Sequence, residues 1–85
     1  MEVKAGKIYR ILSIFIRLQD GTCIRIQEEA DRFQVNRKTI QRDIADIRAF
    51  LADQMVERKN YGQVIYDHAK GGYRMIKDIS IIGNL

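Results

Sequence analysis

Residues 26–44 read IQEEADRFQVNRKTIQRDI, and this stretch holds two helical patterns separated by a polar turn. Ile26, Ala30 and Phe33 are spaced four and three residues apart, as on one face of a short helix. Asn36 breaks this pattern, and its side-chain oxygen is well suited to cap a following helix. That second helix is predicted over residues 37–55. Two helices joined by a turn of about three residues are typical of a helix-turn-helix.

The second predicted helix separates apolar side chains from long hydrogen-bond donors. Its predicted core face carries Ile40, Ile44, Ile47, Phe50 and Leu51. Off this face, near the start of the helix, lie Arg37, Lys38, Gln41 and Arg42. In a helix-turn-helix, the first residues of the second helix enter the major groove of DNA. The four donors are therefore candidate DNA contacts, with a solvated helix face as the alternative.

These donors suit different tasks. Arg37 and Lys38 lie in the first turn, where base edges or phosphates come closest. An Arg side chain can bond O6 and N7 of guanine together, and Gln41 could do the same to adenine. Asn36 and Thr39 are short and are expected to contact phosphate, which fixes position and not sequence.

Acidic residues on the same helix have structural explanations. Arg42 could reach a phosphate or pair with Asp46, four residues along. Asp43 would be awkward beside phosphate, so we expect it to cap or to pair with a nearby Arg, such as Arg10 or Arg74. No metal site is predicted from these acids.

The remaining segments predict a third helix and a hairpin. An amphipathic helix is predicted over Lys7–Gln19, because its apolar residues recur at helical spacing: Ile8, Ile11, Leu12, Phe15 and Ile16. Residues 22–24 could form one brief strand. Residues 64–66 and 73–76 read as two strands joined by the Gly-containing connection 68–72, which predicts a β-hairpin. The fold class expected is α+β.

Composition narrows the function classes. The 85 residues include 15 Lys and Arg against 11 Asp and Glu, a net charge of +4. That length allows one small domain. One Cys and one His leave no disulfide framework, no Cys-rich zinc site and no catalytic constellation, so we expect no enzyme activity and no cofactor. The longest nearly apolar run, residues 11–16, is too short to span a bilayer, and the first residues lack a secretory signal. Both features favour a cytoplasmic protein.

The run VNRKTIQRDI at residues 35–44, with KGGYRM at residues 70–75, resembles the winged helix-turn-helix of DeoR-type bacterial repressors. It is most similar to the N-terminal domain of regulators that carry a WYL domain downstream. The resemblance implies a winged-helix domain over residues 1–76 that binds double-stranded DNA sequence-specifically and regulates transcription as a repressor. By position, residues 37–55 become the recognition helix in the major groove. The wing, residues 68–72, lies on the backbone or in the minor groove, with Lys70, Gly71 and Arg74 as contacts.

Three positions depart from the pattern of the family. Arg25 stands where a capping Ser or Thr is usual, and Glu29 stands where an apolar residue is usual. Gln34 replaces a frequent Gly of the turn and would need an uncommon positive φ if the turn is unchanged.

The segment 77–85 is unusually apolar for a terminus, with Ile79, Ile81, Ile82 and Leu85. It could pack back on the domain, form a homodimer contact or lead to a further domain. An alternative function is a winged-helix module for protein–protein contact within a larger assembly, which a neutral or acidic recognition face and an apolar patch would favour.

Overall fold

Three α-helices followed by a β-hairpin make up the fold, in a computed structural model that describes residues 6–77. The elements are α1 (Lys7–Gln19), α2 (Ile26–Phe33), α3 (Arg37–Val56), β1 (Gln63–Asp67) and β2 (Gly72–Ile76). The predicted α+β class and the predicted order of elements are confirmed. The brief strand expected at residues 22–24 is a single bridge, in which Ile24 and Tyr73 exchange two backbone hydrogen bonds of 2.7 Å.

The core lies where α3 meets the other elements. One face of α3 is buried through Ile40, Ile44, Ile47 and Leu51, as its spacing predicts. Side chains from every other element close over it: Ile14, Leu18, Ile24, Ala30, Phe33, Val64 and Met75. Phe50 was expected on this face, but half of its surface (51%) is exposed.

The buried face of α1 differs from the prediction. The structure buries Arg10, Ile14 and Leu18, while Ile11 and Phe15 pack only partly against the core. Three other residues predicted to be buried, Ile8, Leu12 and Ile16, are more than half exposed. The helix is apolar on nearly all sides, so the spacing of its apolar residues does not show which face is buried. In the structure, the buried face is the one that carries Arg10, which forms an ion pair.

That ion pair joins Arg10 of α1 to Asp43 of α3. Nε of Arg10 donates to Oδ2 of Asp43 at 2.7 Å and Nη2 donates to Oδ1 at 3.3 Å. Asp43 is only 1% exposed, so the carboxylate is removed from water and directed into the domain. The predicted pairing of Asp43 with Arg10 is confirmed, and Arg74 is not its partner.

A second guanidinium holds α2 against α1. Nη1 and Nη2 of Arg17 each donate to one carboxylate oxygen of Glu29, both at 2.7 Å. Glu29 is 2% exposed. A two-pronged Arg–carboxylate contact compensates the burial of this charge, which explains why an acid can stand where an apolar residue was expected.

The turn between α2 and α3 uses backbone geometry that few side chains adopt. Gln34 has φ 54° and ψ 48°, the left-handed conformation that an unchanged turn was predicted to require. The next amide, that of Val35, donates to the carbonyl of Ala30 at 3.0 Å and ends α2. Asn36, three residues after Phe33, then caps α3, which begins at Arg37.

The hairpin packs closely against the segment before α2. β1 and β2 are antiparallel, with Tyr66 opposite Tyr73 and Asp67 opposite Gly72. A Cβ atom on Gly72 would lie 2.6 Å from Sγ of Cys23 and 2.7 Å from the carbonyl oxygen of Ile24. Residue 72 must therefore be glycine for the strand to approach this closely. Within residues 6–77, none of the helices is both long enough and apolar enough to cross a membrane.

Replacing Asp43 with Ala is expected to lower the free energy of unfolding by about 3–5 kcal/mol, because it leaves a buried guanidinium without this carboxylate. Asp46→Ala is the matched control, since Asp46 also joins α3 to α1 through Lys7 but both side chains are more than half exposed. The control substitution should lower the free energy of unfolding by less than about 1 kcal/mol. Urea denaturation measures both. Equal losses would show that burial does not set the strength of the Arg10–Asp43 pair.

Gly72→Ala is expected to destabilise the domain by about 1–3 kcal/mol, because the added methyl group overlaps two atoms of the preceding segment. Gly71→Asn provides a control in the same connection. Residue 71 has φ +68° and open space around a Cβ atom, and Asn tolerates this conformation. Thermal unfolding should separate the two variants. A Gly72→Ala protein as stable as the control would contradict the close approach.

Candidate nucleic-acid interface

The start of α3 is fixed by Asn36. Its Oδ1 accepts from the Thr39 amide at 2.8 Å and from the Thr39 hydroxyl at 3.0 Å. The predicted cap is therefore confirmed. Because the hydroxyl proton of Thr39 is donated within the cap, these two side chains first of all shape the helix start, whereas the sequence pointed to phosphate contact.

Beyond the cap, two cations extend into solvent. Lys38 and Arg42 are exposed and lie about one turn apart on α3, with Gln41 exposed between them. Within residues 6–77 neither cation has a hydrogen bond or an ion pair. Asp46, the predicted alternative partner of Arg42, instead binds Nζ of Lys7 at 2.7 Å. Both positive charges are thus available to a polyanion beside the positive end of the helix dipole.

Arg37, the first residue of α3, contacts α2. Its Nη1 donates to Oε1 of Gln27 at 3.1 Å, and Nε2 of Gln27 donates to Asp31 at 2.9 Å. All three residues are exposed. The guanidinium is therefore oriented by a neutral acceptor and keeps its full charge at the helix start.

The connection between β1 and β2 is organised by one carboxylate. Oδ1 of Asp67 accepts from the amides of Ala69 and Lys70, at 3.0 and 3.2 Å, while its carbonyl accepts from the Gly71 amide at 2.8 Å. Oδ2 accepts from Nε of Arg74 at 2.9 Å. Arg74 is thus bound to Asp67, so its charge is compensated. Lys70 and Gly71 are exposed at the tip.

The pKa of Asp67 lies below its usual value of 3.8. The hydrogen bond from Arg74 is the largest cause, and the amides of Lys70 and Ala69 lower the pKa further. Both kinds of donor favour the ionised carboxylate. The shape of the connection is therefore tied to a charge on Asp67.

The first residues of α2 connect the two basic regions. Nε of Arg25, just before α2, donates to the carbonyl oxygen of Lys70 at 3.1 Å. Two residues later, Gln27 accepts from Arg37. The start of α2 therefore lies between the hairpin tip and the start of α3, in contact with both.

Sequence reasoning did not identify Arg25 or Gln27 as part of this surface. Arg25 was noted only as a poor cap, and it indeed makes no side-chain cap for α2. The one available signal was that a long cationic side chain stands at a position where a short capping residue is usual. Its partner Lys70 is 45 residues away in sequence, so no local pattern could identify it.

The rings of His68 and Tyr73 both contact the ring of Tyr66 on the hairpin. The exposed His68 ring packs edge-on against Tyr66, with centroids 4.7 Å apart. Tyr73 is partly buried against the core, whereas Tyr66 is 42% exposed. No three His, Cys, Asp or Glu side chains within residues 6–77 are grouped as metal ligands.

The carboxyl group of Asp67 is expected to titrate below its usual pKa in a carbon-detected NMR experiment. Because the folded pKa is lowered, the stabilisation is complete above the pKa of the unfolded chain and is lost as the pH falls through the folded value. Arg74→Gln should move the pKa of Asp67 back upward. Lys70→Gln removes the same charge but keeps the backbone amide, so it should change the pKa much less. Equal effects would contradict the assigned role of Arg74.

Comparison of the chain with protein-family models, with curated proteins and with solved structures finds no match. The comparisons therefore assign no family. A proposal for the function rests on the residues at the start of α3, the hairpin tip and the start of α2 that lies between them.

Proposed function

We propose that this chain is a winged helix-turn-helix domain that binds double-stranded DNA sequence-specifically and represses transcription. In this proposal α3 enters the major groove and the connection 68–72 is the wing, lying on the backbone or in the minor groove. The observation that carries it is the pair of exposed cations, Lys38 and Arg42, that have no ion pair within residues 6–77 at the capped start of α3.

The layout of α3 suits the major groove. Its buried face is apolar apart from Asp43 and packs against α2 and α1, so the opposite face is free to enter a groove about 12 Å wide. Arg37, Lys38, Gln41 and Arg42 occupy the first turns of that face. Arg37 has two parallel donors that match guanine, and Gln41 has a donor and an acceptor that match adenine, while Lys38 and Arg42 suit phosphate or guanine.

The wing contributes chiefly through its tip. Lys70 is exposed, and the Gly71 backbone has no side chain to obstruct approach to a phosphate. Arg74 contributes less than the sequence implied, because a phosphate would have to compete with Asp67 for its guanidinium. The contact of Arg25 with Lys70 supports simultaneous binding by wing and helix.

Three helices, a hairpin and a left-handed turn residue between α2 and α3 are compatible with the winged-helix family that the sequence resembles. The alternative, a winged-helix module for protein contact, calls for a neutral or acidic recognition face. The start of α3 is basic instead, and none of the large apolar residues that are exposed within residues 6–77 lies in the first three turns of α3.

The test compares two double variants with the same loss of charge. Lys38→Ala with Arg42→Ala removes both proposed contacts. Arg58→Asn with Lys59→Gln removes two exposed cations just after α3, about 30 Å along the helix axis from its start. Asn is chosen at residue 58 because the backbone there has φ 63°.

The binding site is first selected from random duplex DNA, and affinity is then measured by fluorescence anisotropy across a series of salt concentrations. The first variant is expected to lose at least about tenfold in affinity, with a salt slope smaller by about 2. The control should stay close to the wild-type protein. If both variants lost the same affinity, the binding would depend only on overall charge and not on the start of α3. Failure to select any site would contradict sequence-specific recognition.

A further inference from the structure

One face of α1 is apolar and turned away from the core. Ile8, Leu12 and Ile16 follow one another at intervals of four residues, and they are 76%, 55% and 59% exposed. Tyr9 beside them is 52% exposed. Single exposed apolar residues are ordinary on protein surfaces, but a continuous row marks a contact surface.

This face also carries no uncompensated charge. Between Lys7 and Arg17 the only charged residue is Arg10, which is buried with Asp43. At the two ends of the face, Lys7 binds Asp46 and Arg17 binds Glu29, both at 2.7 Å. Two copies of a chain with net charge +4 could therefore approach here without bringing unpaired cations together.

The row forms a ridge between two grooves. On one side, a groove of about 400 Å³ runs between α1 and α3, lined by Ile11, Leu12, Phe15, Asp46, Ile47 and Phe50. On the other side, a groove of about 410 Å³ is lined by Tyr9, Leu12, Ser13, Ile16 and Arg17. Helices pack by fitting ridges into grooves, and residues four apart form the commonest kind of ridge. A surface with both a ridge and adjoining apolar grooves is complementary to itself.

The row is symmetric about its middle residue, because Ile8 and Ile16 each lie four positions from Leu12. In an antiparallel two-fold contact centred on Leu12, the first residue of the row therefore meets the last residue of the row on the other copy. We propose that α1 is the interface of a homodimer, in which two copies of the helix pack antiparallel. Leu12 lies at the two-fold axis, and Ile8 lies against Ile16 of the second copy.

Antiparallel packing also sets the positive end of each helix dipole beside the negative end of the other, which is favourable. The sequence left a homodimer contact as one of three alternatives for the segment 77–85, of which residues 78–85 lie outside the described residues. The interface proposed here uses α1 instead, and it stands independently of DNA binding.

The first experiment is sedimentation equilibrium of the 85-residue chain without DNA. One pair of short helices makes a small interface, so we expect a reversible dimer with a dissociation constant in the micromolar range, populated at about 100 µM protein. Leu12→Glu should raise that constant at least tenfold, because it places two charges at the axis. Val56→Glu is the matched control, since Val56 is 83% exposed at the end of α3 and receives the same charge. Circular dichroism verifies that both variants fold.

The second experiment tests the orientation by disulfide formation in a Cys23→Ser background, which removes the only native thiol. Leu12→Cys is expected to form a covalent dimer on mild oxidation. Ile8→Cys alone should not, but a mixture of Ile8→Cys and Ile16→Cys proteins should.

Several results would overturn the proposal. One is a monomeric wild-type protein at about 100 µM, and another is a dimer that Leu12→Glu leaves intact. Efficient self-linking of Ile8→Cys would indicate parallel packing. An intramolecular disulfide between Leu12→Cys and Ile81→Cys in a monomer would show that the chain covers this face with its own terminal segment. None of these measurements includes DNA, so their outcome does not depend on the proposed function.

Discussion

The buried pair of Arg10 and Asp43 sets the orientation of the two longest helices. A carboxylate that is 1% exposed needs a partner in a fixed place, and the guanidinium can provide it only if α1 presents Arg10 to α3. This choice turns Ile14 and Leu18 inward and leaves Ile8, Leu12 and Ile16 outside. It also pairs Asp43 with Arg10, so that the charge of the acid within the basic run is compensated inside the domain.

Local signals in the sequence predicted the elements well. The cap at Asn36 and, apart from Phe50, the core face of α3 follow from neighbouring residues, and the structure confirms them. The positive φ of Gln34, which the family resemblance required of an unchanged turn, is also found. The hairpin follows in the same way from two β-compatible runs and the glycines between them. Each of these features depends on interactions within a few residues, which is why a single sequence could reveal them.

Features that depend on distant residues were missed or mistaken. The inward face of α1 depends on a partner 33 residues away, and the place of Arg25 depends on a partner 45 residues away. The sequence also does not show that Asp67 reaches the Nε atom of Arg74, which the family resemblance makes a DNA contact. The sequence therefore predicted which residue types lie at the start of α3. It did not show which of the charges in the candidate interface are left without an ion pair.

The short helix α2 has a consequence for how the domain opens. Eight residues are too few to hold a helix in water, and no side chain caps its start. Its order is supplied by Arg17, by the core contacts of Ala30 and Phe33 and by its links to Lys70 and Arg37. Amide hydrogens of α2 should therefore exchange through local unfolding at a lower free energy than those in the middle of α3. Each such opening breaks the contacts that connect the hairpin tip to the start of α3. The distance between these two basic regions is therefore fixed only while α2 remains folded.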